Sequence, residues 1–436
     1  MGELYPQGSF ALHGQTTFRA HRSRRRFAAR ALGLIRSGAA LLCLVSAAAG
    51  ATLVRAPYLQ NVQAGRASIL WTTDAPGVGV VSISDGHSAT SATAQIRAFL
   101  PAETMLATAF YQYQADLTGL TPGTAYTYSV ALNGQTLASS AADGSPLHFT
   151  TEGPGRFSFL VLGDSGEGTP EQTQIASLLS AEQDVALLLH MGDLACDLGT
   201  FAQLDSNYFA PYADLMQRVP FFPAPGNHEY YTNRAAPYLS AHASPDSGVP
   251  APDQGRYYSF DWGDAHFTSL DSNLLGTASE VQMLAWFDHD LQASRKLWKI
   301  VYFHHTPYPS GHHLGDPACE RALAVINPIA ERNGVQLVLC GHEHSYQRSV
   351  PLSNGRPALR GGTTYIVSAG GGQALQNIGR LPTTAVAMAV HNYLRVDLDG
   401  SRLTIRVIGL GGAWLDQVVL DAAPARKRVV APPALR

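Results

Sequence analysis

The chain has 436 residues, 45% hydrophobic and 14% charged, with a net charge of −3. That is an ordinary globular composition with enough apolar side chain for one large core and a smaller one, so two domains are expected. The first 49 residues hold seven arginines against one acid, a net of +6, which leaves −9 on the remainder; an acidic mature chain argues against nucleic acid or an anionic lipid surface as a partner.

Arg19, Arg22, Arg24, Arg25, Arg26, Arg30 and Arg36 precede the apolar stretch 38–50. A basic start, a short apolar run and small residues suited to cleavage near Ala49 predict an export signal over 1–50, too short to leave a membrane span behind. The segment 23–27, SRRRF, resembles the twin-arginine export signal, although Ala28 and Ala29 stand where that pattern prefers an apolar and a basic residue; a general secretory signal with a basic start reads the same residues. Either route predicts a periplasmic or secreted protein. Cys43 belongs to the leader and has no lipobox before it, so Cys196, Cys319 and Cys340 remain, enough for at most one disulfide.

From 51 to 151 short alternating strands and turns, with no convincing helix, predict an all-β sandwich. Within it, LTGLTPGTAYTYSV resembles the turn and following strand of fibronectin type III domains. No cluster of His, Cys and carboxylate lies there, so no chemistry is assigned to it. The polar segment 151–156 marks a boundary. After it, strands are expected at 157–162, 185–191, 265–269, 298–303, 335–339 and 364–368. Helices are expected at 170–182, 279–293 and 320–333, the last closed by Gly334. This order makes a layered α/β domain over 156–424. It ends in a hairpin turning at Asp399-Gly400, with 425–436 as a tail.

The stretch VALLLHMGDLACDLG, 185–199, is a buried strand that delivers Asp193 at its carboxyl end, where open α/β sheets hold ligands. The other strands do the same. Gly163-Asp164-Ser165-Gly166, Gly192-Asp193, Asn227-His228 in PGNHEY, His304 in VYFHH, and His342 and His344 in CGHEH all follow strand ends. Carboxylate, amide oxygen and imidazole thus arrive at one edge of one sheet, and each glycine before Asp164, Asp193, Asn227 and His342 is expected to let the backbone turn sharply and approach a ligand closely. Any one of these residues alone reads as a turn, a helix cap or a core histidine. Five in order read as a metal site.

These five blocks resemble the calcineurin-like metallophosphoesterases, and more closely the purple acid phosphatases, over nearly all of 53–420. The resemblance implies a layered β-sandwich flanked by helices, class α/β (α+β), with two metal ions, iron paired with zinc, manganese or a second iron. It implies Asp164, Asp193 and His344 at metal 1, and Asp193, Asn227, His304 and His342 at metal 2, with Asp193 bridging. His228 matches the family histidine that protonates the leaving group, and His312 and His313 match those that hold phosphate. Glu229, Tyr346 and Arg348 match neighbours that orient ligands, and His305 is left unassigned. Two metals sharing a carboxylate acidify a water and clamp phosphoryl oxygens, so the implied activity is hydrolysis of small phosphate monoesters by metal-bound hydroxide. A phosphodiesterase or nucleotidase on the same core is the alternative, and a weakly catalytic surface-binding protein is a second one.

The sequence departs from the family at metal 1. Purple acid phosphatases carry a ligating tyrosine where this chain has Cys196, and other metallophosphoesterases carry a histidine where it has Gly166. Cys196 therefore ligates as thiolate, leaves the place to water, or simply packs.

Overall fold

Alternation along each central strand divides the core into layers. In the computed structural model, which describes residues 50–422, Phe159 and Val161 join Leu187 and Leu189 on one face, while Leu160, Leu162 and Leu188 join a different cluster on the other. Strand Trp298–His305 splits likewise: Ile300 and Tyr302 face the central layer, and Val301 and Phe303 face the helices. Strands buried on both faces need no polar alternation, which is why they read as continuous apolar runs. Residues 1–49 of the expected leader over 1–50, and the expected tail at 425–436, lie outside the described residues. Among the described residues no helix is long and apolar enough to cross a membrane.

Two sheets face each other across that central layer. One has six strands in the order Phe221–Pro223, Val185–His190, Phe157–Leu162, Asn392–Asp399, Arg402–Gly409 and Trp414–Asp421. The other has seven, in the order Tyr258–Trp262, Ala265–Ser269, Trp298–His305, Leu337–Gly341, Thr364–Ser368, Tyr346–Ser349 and Thr384–Met388. The expectation of one sheet is therefore corrected to two: apolar runs identify buried strands but do not say which neighbours they pair with. The site residues come from both. Residues 53–150 form a further four-stranded and five-stranded antiparallel sheet, with one helical turn at Pro101–Thr104.

The helix expected at 320–333 is two, Pro317–Val325 and Asn327–Arg332. Pro328 has no N–H to continue the ladder and its ring disfavours the turn before it, so the chain restarts at Asn327. The first begins earlier than expected, because Asp316 accepts the N–H groups of Ala318 and Cys319 as an N-cap with Pro317 at the first position. Gly334, at φ 71°, closes the second as expected. Gly400, at φ 55°, turns the expected hairpin of Asn392–Asp399 and Arg402–Gly409, but this is not the end of the sheet, because Trp414–Asp421 follows and pairs antiparallel with Arg402–Gly409.

Away from the strand ends, His266 is clamped between two carboxylates. Its Nδ1–H donates to Asp261 at 2.7 Å and its Nε2–H to Asp290 at 2.9 Å, and Ser259 and Thr268 also donate to Asp290. Burial opposes the charged ring, but the bonds to Asp261 and Asp290 override it and push the imidazole up to about 9. A value raised above the unfolded one contributes stability that is complete below about pH 6.5 and is lost as pH rises through 9. Urea unfolding should therefore show wild type losing on the order of 3 kcal/mol more than His266→Gln between pH 6.5 and 9.5. Parallel losses in the two proteins would contradict the clamp.

Candidate active site

Strand register brings the loops to one level. Leu162 pairs with His190, and His190 with Pro223, in parallel strands, so the chain leaves the sheet at Asp164, Asp193 and Asn227 side by side. In the facing sheet His305 pairs with Gly341, which aligns His304 with His342.

The turns are made differently from expectation. Asp164 (φ 56°), Asp193 (φ 56°) and His342 (φ 74°) themselves adopt the left-handed conformation; of the four preceding glycines only Gly192 does. Short polar side chains tolerate that region. The glycines are required by crowding: a Cβ on Gly226 would collide with Asp193 Oδ1, one on Gly341 would lie 2.5 Å from Asp164 Oδ2, and one on Gly192 would lie 2.7 Å from the Gly226 backbone.

Carbonyls orient the imidazoles. His304 Nδ1–H donates to Met191 O at 2.8 Å, so Nε2 faces the site, 2.9 Å from Asn227 Oδ1, 3.2 Å from His342 Nδ1 and 3.3 Å from Asp193 Oδ2. His344 Nδ1–H donates to Ala374 O at 2.8 Å, which leaves Nε2 3.6 Å from Asp164 Oδ1. His342 is turned the other way: Nε2–H points to Asp316 Oδ2 at 3.4 Å and Nδ1 points inward. Donor atoms of Asp164, Asp193 and His344 all lie within 4.8 Å of one another. Inward donor atoms of imidazole, amide and carboxylate at such distances repel unless a proton or a metal cation sits among them, and this donor set suits divalent or trivalent metals.

The charges point the same way. Asp164, Asp193 and Glu229 are all buried. Burial, with the Asp193 charge beside it, pushes Asp164 well above the ordinary carboxylate range. Burial and Asp193 push Glu229 up to about 7. Burial would also raise Asp193, but His304 and His228 hold it low. His304, whose charged form burial disfavours, is nevertheless held up at about 10 by Asp193 and Asp164. A proton on this imidazole balances negative charge that metal ions would otherwise balance.

Glu229 shapes the Asp193 loop by accepting the backbone N–H groups of Asp193, Leu194, Ala195 and Gly226 at 2.7–3.1 Å. His228 Nδ1–H donates to Asp197 O at 2.7 Å, and its Nε2 lies 3.8 Å from Asp193 Oδ2. His313 lies with its ring 3.8 Å from that of His342, centroid to centroid, and His312 is exposed beside it. His305 is buried with Nδ1 on Ser272 Oγ. Tyr346 and Arg348 are not ligand orienters: both donate to Asp416 on the last strand. Motif adjacency suggested otherwise, but the strand geometry carries their side chains away from the loops.

Gly166 has no room for a side chain, because a Cβ would collide with the Leu194 carbonyl. Cys196 is buried, its Sγ is within 4.8 Å of donor atoms of Asp193 and His228, and Gln373 Nε2–H donates to it at 2.7 Å. Burial and the nearby Asp193 and Glu229 push the thiol up.

Three supports went unread in the sequence. Asp316, which receives His342, was visible as an Asp-Pro helix start. The glycine-rich run 370–372 leads a loop that supplies Ala374 O to His344, Gln373 to Cys196 and Gln376 Oε1 to the His344 N–H. Asn207, in the π-helical turn Asp205–Phe209, donates to the carbonyls of Gly166 and Cys196 and so ties two site loops together; π-turns are frequent at such places.

Residues 157–346 match the calcineurin-like phosphoesterase family. The chain carries a calcineurin-like phosphoesterase domain. Acid phosphatase type 7 of Mus musculus is 25% identical over 321 residues, 66% of this chain and 69% of that protein. The Homo sapiens acid phosphatase type 7 is 26% identical over 219 residues, 44% of this chain and 48% of that protein, so the chain spans about half of its length. Among solved structures, a purple acid phosphatase from yellow lupin (Lupinus luteus) seeds superposes with a TM-score of 0.73 at 18% identity, covering 84% of this chain and 74% of that one. The domain is that of a phosphoric ester hydrolase, and its clustered His and Asp side chains are a candidate metal site.

The crowding at Gly226 gives a direct test. Gly226→Ala should weaken metal retention at least about tenfold, as loss of ligand support does, with a stability loss of about 1–3 kcal/mol. Metal analysis after dialysis and thermal unfolding measure both, and full metal content would show that the loop accommodates a Cβ.

Proposed function

We propose that this chain is an exported hydrolase of phosphate monoesters, formed by a fibronectin type III-like module at 51–151 and a catalytic module at 156–424. It holds one metal ion among Asp164, Asp193 and His344 and a second among Asp193, Asn227, His304 and His342. The observation that carries this reading is the inward convergence of these side chains, with each imidazole's N–H spent on an outer carbonyl or carboxylate. Two such ions, when bound, acidify a shared water and screen the phosphoryl charge. The amide and two imidazoles of the second set suit a divalent ion, and iron is proposed for the first, with zinc, manganese or iron as its partner.

The chain's own groups then have distinct tasks. Asp193 stands between the two sets. Because Nδ1–H of His228 is held by the Asp197 carbonyl, its transferable proton sits on Nε2, at the edge of the site, where it can reach a departing oxygen. His312, exposed beside His313, is a donor to phosphoryl oxygens, and His313 joins it once its ring releases Gln376, whose Nε2–H its Nε2 accepts. Asp316, by receiving His342 Nε2–H, keeps the other nitrogen of that ring directed inward. Cys196, with an amide N–H on its sulfur, lies next to the first set and could add a ligand.

Asp193→Asn removes the shared charge, so it should lose most bound metal and at least a hundredfold in 4-nitrophenyl phosphate hydrolysis together; metal content and activity within about tenfold of wild type would overturn the two-metal reading. His228→Ala should retain metal but turn over about 10²–10⁴-fold more slowly, with a smaller loss for leaving groups that need no proton. A uniform loss across a leaving-group series would remove the acid role. Parallel assays with bis(4-nitrophenyl) phosphate separate monoesterase from diesterase.

A further inference from the structure

Beside His228 the surface becomes apolar. Leu198 and Tyr231 are 53% and 62% exposed. Single exposed hydrophobic residues are ordinary, but these two come from separate loops that are both tied to His228. Asp197, whose carbonyl receives His228 Nδ1–H, is followed directly by Leu198. The Leu198 carbonyl in turn accepts Thr232 Oγ1–H at 2.6 Å, which joins its loop to the one carrying Tyr231. The Tyr231 ring lies 5.4 Å from the His228 ring at 83°, an edge-to-face pair. Asp197 itself is exposed next to Leu198.

We propose that Leu198 and Tyr231 form a leaving-group platform that selects phosphate monoesters of aromatic or otherwise apolar alcohols over those of polyols or of alcohols bearing further phosphates. This rests on the phosphoesterase reading, because His228 fixes where the alcohol departs. In hydrolysis water adds to phosphorus and the P–O bond to the alcohol breaks. The departing oxygen takes the proton from His228 Nε2, and the attacking water's proton restores it. The alcohol is therefore released against the side chains that flank this imidazole. An apolar ring there is shielded from water by Leu198 and Tyr231, whereas a second phosphate meets the Asp197 carboxylate.

Calorimetry of the metal-loaded protein with phenylphosphonate and methylphosphonate, neither of which is hydrolysed, tests the platform without activity. Wild type should bind phenylphosphonate about tenfold more tightly, the size of one aromatic contact with its buried area. Tyr231→Ala and Leu198→Ser, both at exposed positions, should each erode that preference and leave methylphosphonate affinity unchanged. In turnover the same variants should raise KM for phenyl phosphate with little change for glycerol phosphate. Equal affinity of wild type for the two phosphonates, or a preference that survives the double variant, would overturn the platform while leaving the phosphoesterase reading intact. Failure of either phosphonate to bind the metal-loaded protein would overturn that reading and the platform with it.

Discussion

Negative charge buried at the meeting of two sheets is the constraint on which this molecule is organised. Asp164 and Asp193 are almost completely removed from solvent, with Glu229 close enough to raise both its own affinity for protons and the local charge density. Ionised carboxylates are not tolerated in such a place without partners. Part of the compensation is permanent: His342 N–H reaches Asp164, His228 N–H reaches Asp193, and four backbone N–H groups reach Glu229. Within the site the rest falls to His304, whose imidazole Asp193 and Asp164 hold up against burial, and its inward nitrogen faces Asn227 and Asp193. Negative charge so concentrated favours a cation at this place.

Concentrating these groups demands backbone approach closer than side chains permit. Gly192, Gly226 and Gly341 allow the loops to cross at distances that a Cβ would block, and left-handed turns at Asp164, Asp193 and His342 accompany the inward convergence of these side chains. Such turns persist only where the surroundings hold them. Asn207 supplies part of that hold by bonding two loops at once, and its π-helical turn is itself anchored by Arg55, which donates to Asp205 and lies with its guanidinium 3.7 Å from the Phe209 ring centroid. Arg55 lies on strand Leu53–Gln63 of the N-terminal sheets. Those sheets contribute no group to the chemistry, yet they buttress the turn that steadies it.

The imidazoles show how little of a ligand's function resides in its identity. His304 and His344 spend Nδ1–H on carbonyls and offer Nε2, whereas His342 spends Nε2–H on Asp316 and offers Nδ1. Reversing any of these outer bonds would present a hydrogen to the site in place of a lone pair.

Much of this was legible without coordinates. The strand ends carrying Asp164, Asp193, His304 and His342 could be placed because a doubly buried strand is a continuous apolar run, and a polar residue directly after it must emerge at the sheet edge. The order and type of those residues determined the metal chemistry, since hard and borderline ligands in this sequence have few other uses. The division of the strands between two sheets was not legible, because pairing partners lie up to 241 residues apart (157 to 398), as Phe157 and Leu398 do. Nor was the direction of Tyr346 and Arg348 toward Asp416, the break before Pro328, or the reliance of His344 and Cys196 on the loop after Thr364–Ser368. The sequence by itself determined which groups the chain owns and the strand ends that deliver them, because these follow from local periodicity and turn chemistry. Which nitrogen of each ring faces inward, and whether Cys196 or a side chain at Gly166 can reach the first metal set, was decided only by tertiary structure, because both depend on carbonyls and backbone brought from distant parts of the chain.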